Sequence, residues 1–88
     1  MPHPAKRFVC IIRSVNHPDR RYVGVTADLS ARLDAHNAGQ NRSTAPWRPW
    51  VVDVCIEFRT EWVAMRFERY LKSGAGHAFA SRHFLGAR

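Results

Sequence analysis

Apolar and polar positions divide the chain into short unbroken apolar runs and longer stretches of helical periodicity, separated by turn-forming residues. Phe8-Val9-Cys10-Ile11-Ile12 is a β-favouring run too apolar for a half-solvated strand, which predicts a buried central strand. Asn16-His17-Pro18-Asp19 carries turn chemistry. Tyr22-Val23-Gly24-Val25 then predicts a second strand, hairpin-paired with the first. Thr26 or Asp28 can cap a helix whose apolar face is Leu29, Leu33 and the alanines, and Gly39 ends it. Gln40 to Pro49 is a polar loop broken by Pro46 and Pro49. Val51 to Phe58 predicts a third strand. Glu61 to Lys72 is the most helical segment, with Trp62, Met65, Phe67 and Leu71 as its apolar side and Ser73-Gly74 as its stop. Gly76 to Leu85 predicts a last short helix, Phe79 and Phe84 inward, Arg82 and His83 outward. The order β-β-α-β-α-α predicts an α/β (α+β) domain, a small mixed sheet with helices packed on it.

The 88 residues suit one domain, expected over residues 1–88 with its core at about 8–84. An apolar share of 45% excludes intrinsic disorder. Charge changes the picture more: 14 Lys+Arg against 7 Asp+Glu give +7. Such an excess favours a polyanionic partner, because each cation placed on a phosphate releases condensed counterions. Nucleic acid, in particular DNA, is the expected partner, ahead of a merely soluble basic protein, with an anionic membrane surface third. Basic residues run from Lys6 and Arg7 to Arg82 and Arg88. No apolar run approaches the roughly 20 residues of a membrane span, and Met1 to Arg7 lead into too short a run for a secretory leader. Cys10 and Cys55 lack the spacing of a zinc site, and one pair does not make a disulfide-dense secreted scaffold. A reducing, cytoplasmic setting, nucleoid-associated at most, is the expectation. Cys55 is expected only to pack, standing too far along the third strand to pair with Cys10.

Three groups can carry chemistry. Tyr22-Val23-Gly24 places a phenol near a strand end beside a glycine that permits close approach. Arg32 and His36, four apart, project from one helix face. A guanidinium can hold two phosphate oxygens and an imidazole can orient water or move a proton. The plainer reading is an exposed face of a basic helix. Glu68, among Arg66, Arg69 and Lys72, reads either as an intrahelical ion pair or as a carboxylate ligand for a hydrated divalent cation.

Taken together and in order, these pieces resemble the GIY-YIG nuclease domain in its short stand-alone bacterial form, related to the catalytic domains of excision-repair and homing endonucleases. Phe8-Val9-Cys10-Ile11-Ile12-Arg13-Ser14 resembles the first signature strand and Tyr22-Val23-Gly24 the second signature tripeptide. The helix from Leu29 to Gly39 resembles the one that bears the family's arginine and histidine. Ser43-Thr44-Ala45-Pro46-Trp47-Arg48-Pro49-Trp50 is similar to the loop leading into the third strand. Ala64 to Lys72 resembles the segment with the metal-binding glutamate, and Ser73-Gly74-Ala75-Gly76-His77-Ala78-Phe79 continues the match.

The resemblance implies a three-stranded antiparallel sheet flanked by helices and hydrolysis of a phosphodiester by water with one divalent ion, Mg²⁺ or Mn²⁺. It assigns Tyr22 to the tyrosine pair, Arg32 to transition-state stabilisation, His36 to proton transfer and Glu68 to metal. Cys10 stands where the first tyrosine belongs. Three readings stand: Tyr22 alone serves at a reduced rate; the Cys10 thiol, titrating at about 8.5 against about 10 for a phenol, substitutes; or the site is silent and the domain a binder. Arg13, Trp47, Arg48, Arg69 and Lys72 are the expected nucleic-acid contacts, with Trp47 placed to stack on an unpaired base. Trp50 is expected to fold back on its own domain. Nothing resembles a base-reading helix, so sequence specificity is expected to be low. Two functions fit, an endonuclease acting on branched, damaged or single-stranded DNA and a non-catalytic nucleic-acid-binding module on the same fold; a third, a small basic protein of an RNA-protein assembly, would leave Tyr22, Arg32, His36 and Glu68 pointing apart.

Overall fold

Antiparallel pairing around one central strand organises the chain. The computed structural model describes residues 5–85, so Met1 to Pro4 and Arg88, weighed above for a leader and for charge, lie outside the described residues. The elements are β1 (Arg7–Ser14), β2 (Arg21–Thr26), α1 (Leu29–Asn37), β3 (Trp50–Phe58), α2 (Glu61–Leu71) and α3 (Gly74–His83), with a short 3-10 turn at Ala45–Trp47 inside the polar loop. The sheet runs β2-β1-β3 and both pairings are antiparallel, not mixed as element order alone suggests.

The apolar run of β1 is buried on both faces, as its pattern predicts: Val9, Cys10, Ile11 and Ile12 are all at most 6% exposed. Val9 and Ile11 join Ala64, Leu71 and Ala80 in the core, with Phe67, Phe79 and Phe84 packed against it. Each such aliphatic side chain contributes roughly 1.5–3 kcal/mol by burial. Cys10 and Ile12 point to the other face, toward Leu29 and His36 of α1.

α2 turns a different side to the core than its apolar residues suggest. Ala64, Phe67 and Leu71, spaced three and four apart, face inward. Trp62 and Met65 are 67% and 51% exposed, so the expectation that they join the core is corrected. They belong to a second stripe, rotated away from the first by helical geometry. α1 also departs from its pattern. Its Leu29 and Leu33 are only half-buried, and the one buried residue is His36. Asp28 is its cap, accepting from the Ala31 amide at 3.0 Å. Gly39 follows with φ 81°, where a Cβ would also run into the Arg48 guanidinium.

The far end of α1 is fastened to β3. Asn37 donates to the Trp50 carbonyl at 3.1 Å and accepts from the Trp50 amide at 2.6 Å, imitating a strand partner. Trp50 is 3% exposed and its indole N–H donates to the Thr44 carbonyl at 2.9 Å, so it does fold back on its own domain. Pairing between β1 and β3 slips between Ile11 and Ile12, leaving Asp53 as the extra residue of a bulge. There it meets Arg13 Nε at 3.0 Å and Arg21 Nε at 3.7 Å.

Candidate active site

β2 is an edge strand, and α1 and α2 approach that edge from opposite faces of the sheet. Tyr22 and Gly24, two apart, point the same way. A Cβ on Gly24 would stand 3.1 Å from Tyr22 Cε2 and 3.9 Å from an Arg32 guanidinium nitrogen. The bare glycine is therefore what gives the phenol ring room over the strand, whereas the guanidinium would meet a methyl only at ordinary contact distance.

Arg32 is exposed, whereas His36, one turn on, dips inward to 2% exposure. The expected common face is thus split into a solvent-side cation and a buried ring. The His36 ring lies 4.8 Å from that of Tyr22, tilted by 58°. Its Nδ1 is 2.7 Å from the Thr44 hydroxyl oxygen. That hydroxyl has the Asn41 carbonyl 3.4 Å away as an acceptor, an arrangement that suits His36 donating through Nδ1 and keeping Nε2 as its proton acceptor. Burial first, and then the Arg32 charge, hold His36 below the 6.5 of a free imidazole. Cys10, Tyr22, Gly24, Arg32 and His36 border a hollow of about 20 Å³.

On the outer side a cleft of about 410 Å³ is lined by Tyr22, Arg32, Met65 and Glu68, with Arg7 and Glu61 at its margin. Tyr22 and Arg32 border both spaces and so join His36 to the cleft. Glu68 is half-buried and its carboxylate takes the Lys72 ammonium at 2.6 Å, four residues on. Glu61 pairs more loosely with Arg7, at 3.8 Å. Among the described residues no three His, Cys, Asp or Glu side chains gather into a metal cage. A rim carboxylate in an open cleft fits an ion that keeps most of its water, as Mg²⁺ does, and does not fit a dehydrated one.

The structure brings Tyr22, Arg32, His36 and Glu68 to one edge of the sheet. Cys10 is there too, but not as a free thiol. The β1–β3 register sets it opposite Cys55, with Cα atoms 4.1 Å apart, and the two form a disulfide. The expectation that Cys55 stands out of reach is corrected: antiparallel return of the chain places residues 45 apart side by side.

The expected nucleic-acid contacts scatter. Lys72 and Arg69 stay on α2 beside the cleft, both exposed. Arg13 is held by Asp53, and Arg48 donates to the Ala45 carbonyl at 2.8 Å. Trp47 carries the Arg20 guanidinium 3.8 Å over its ring and His17 at its edge. Glu61 and Thr44 were not anticipated at the site. The spacing of Glu61 and Glu68, seven residues and so two turns apart, is the signal that pairs them on one helix face.

Two fungal proteins resemble the chain. It is 33% identical over 87 residues to the "Structure-specific endonuclease subunit SLX1" of Candida dubliniensis, covering 91% of this chain and 29% of that protein. It is 34% identical over 94 residues to the "Structure-specific endonuclease subunit slx1" of Talaromyces marneffei, covering 98% of this chain and 23% of that one. The chain thus spans less than a third of the length of these relatives. The family model of the GIY-YIG catalytic domain matches residues 6–77, from the start of β1 through the helix that carries Glu68 and into α3. On that match, which takes in the β2 edge and everything gathered at it, the chain belongs to the GIY-YIG nuclease family.

Proposed function

We propose that this chain is a metal-dependent endonuclease that hydrolyses DNA phosphodiester bonds with low sequence specificity, in repair or recombination. The observation that carries the reading is one cleft lined by Tyr22, Arg32 and Glu68, with the His36 ring packed against the tyrosine. Structure-specific action in the named fungal relatives supports a substrate chosen by shape, such as branched DNA, over one chosen by sequence.

Arg32, exposed at the cleft, takes the non-bridging phosphate oxygens and meets charge as it grows in the transition state. His36 is kept neutral by burial and by Arg32, the form that accepts a proton. Its tilted contact with Tyr22 sets the phenol at the cleft wall, where it orients the attacking water. Glu68 would hold the divalent ion through its carboxylate, with water completing the shell. That ion supplies neutralisation of the phosphate and of the leaving oxygen. Cys10, tied to Cys55, has no thiol proton to give or take, so Tyr22 carries the tyrosine role alone.

A second reading, a non-catalytic nucleic-acid-binding module, is favoured by that same disulfide and by Lys72 sitting on Glu68. Cleavage of labelled single-stranded, duplex and branched DNA with Mg²⁺ or Mn²⁺ separates the two. Metal-dependent cutting that drops by about 10²-fold or more in Arg32→Ala and Glu68→Ala supports the enzyme. Salt-sensitive binding without cutting by the wild type, restored to cutting in Cys10→Tyr, gives the module.

A further inference from the structure

Trp62 is 67% exposed on α2, and the Arg66 guanidinium lies 4.8 Å over its ring. A single exposed indole is ordinary, but one whose neighbour on the helix surface, Met65, is also an exposed apolar residue asks for a reason. Its place on the helix supplies one. An α-helix turns about 100° per residue, so Met65 falls about 60° round from Trp62 and Glu68 about 60° further in the same sense. Met65 and Glu68 both line the catalytic cleft. The three residues thus make a continuous track from open solvent to the cleft, and Met65 is itself 51% exposed.

We propose that Trp62, with Met65 beside it, is a stacking platform for an unpaired base of single-stranded or branched nucleic acid. The inference rests on the nuclease reading, which lays the phosphate backbone across the cleft. Charge decides the occupant. Arg69 falls between Met65 and Trp62 on the helix surface, and Arg66 falls just beyond Trp62. The centre of a protein–protein interface is depleted of charge, whereas cations alternating with an aromatic face suit a strand of stacked bases and phosphates. Stacking tolerates every base, so the platform selects unpaired structure and not sequence. A base that leaves its duplex here would sit within one or two helical turns of the phosphate to be cut.

The test is equilibrium binding, without any divalent ion, of a fluorescein-labelled single strand and of a blunt duplex of the same length. Trp62→Ala is expected to weaken single-strand binding about tenfold while duplex binding changes by less than about twofold. Trp62→Phe is expected to keep most of the affinity, and 2-aminopurine in the single strand to be quenched by the wild type but not by Trp62→Ala. Both variants are expected to melt with the wild type, since the indole is exposed. Equal losses on the two DNAs, or no loss on either, overturn the platform. So does loss of self-association in Trp62→Ala by sedimentation, which would make the patch a contact between copies. Because no metal is present, failure to cut DNA bears on the nuclease reading and leaves this result standing.

Discussion

The His36 ring lies against Tyr22 with centroids 4.8 Å apart, while its Nδ1 is held 2.7 Å from the Thr44 hydroxyl. One buried imidazole thereby ties the polar loop to the β2 edge that carries Tyr22. Thr44→Val would strip Nδ1 of its partner and leave a buried polar atom unpaired. The expected cost is about 1–3 kcal/mol in chemical denaturation, with a larger proportional loss of cleavage than of stability. A variant as stable as the wild type would sever that tie.

The same histidine gives the fold a pH dependence. Its native pKa is lowered, so the unfolded chain binds the proton more readily than the folded one. The stabilisation is complete above the unfolded value of 6.5 and is lost as pH falls through it toward the lowered native value. Melting temperatures taken from about pH 7.5 to about pH 5.5 should decline, and His36→Gln should flatten that decline. An unchanged slope in His36→Gln would assign the effect to other groups.

On the proposed reading, Lys72 and a divalent ion would compete for the Glu68 carboxylate. Lys72→Gln removes a cation 2.6 Å from Glu68, so Mn²⁺ should bind more tightly, measured by calorimetry. Both side chains are partly in solvent, which limits the expected gain to about 1 kcal/mol, or about fivefold. Weaker Mn²⁺ binding in this variant would mean that the lysine positions the carboxylate and does not block it.

The disulfide closes a separation of 45 residues between neighbouring strands. Reduction, or Cys55→Ser, should lower stability by about 2–4 kcal/mol without changing the fold. Mass spectrometry after alkylation should find both cysteines protected until reductant is added. Full alkylation of the untreated protein would refute the pairing.

Gly24→Ala probes how closely the site is packed. The new methyl would press on Tyr22 at 3.1 Å, so the ring must shift. Cleavage should fall about tenfold while the melting temperature holds, because misplaced catalytic groups cost rate before they cost stability.

Much of this arrangement is legible in the order of residues. The unbroken run at Phe8–Ile12 states that β1 is covered on both sides, and Asp28 and Gly39 mark the ends of α1. Tyr22, Arg32, His36 and Glu68 stand out as chemistry-bearing groups, but spacing alone leaves the plainer readings open, and their roles come from the family resemblance. What the chain does not state is rotation and register. Trp62 and Met65 look like core because they are apolar, yet Ala64, far smaller, holds the inward position. Likewise, Cys10 and Cys55 meet only through a strand pairing whose slip at Asp53 no local pattern announces.

Arg32 stands in solvent and Glu68 only half out of it, while the weight of the fold rests on β1 and the inward side of α2. Neither residue belongs to the buried core. Loss of catalysis would therefore leave a protein as durable as before, and an inherited lesion at this edge would escape the cell's surveillance of misfolded chains. On the proposed reading, one codon at Arg32 or Glu68 would turn a cutting domain into a merely clasping one without touching its core.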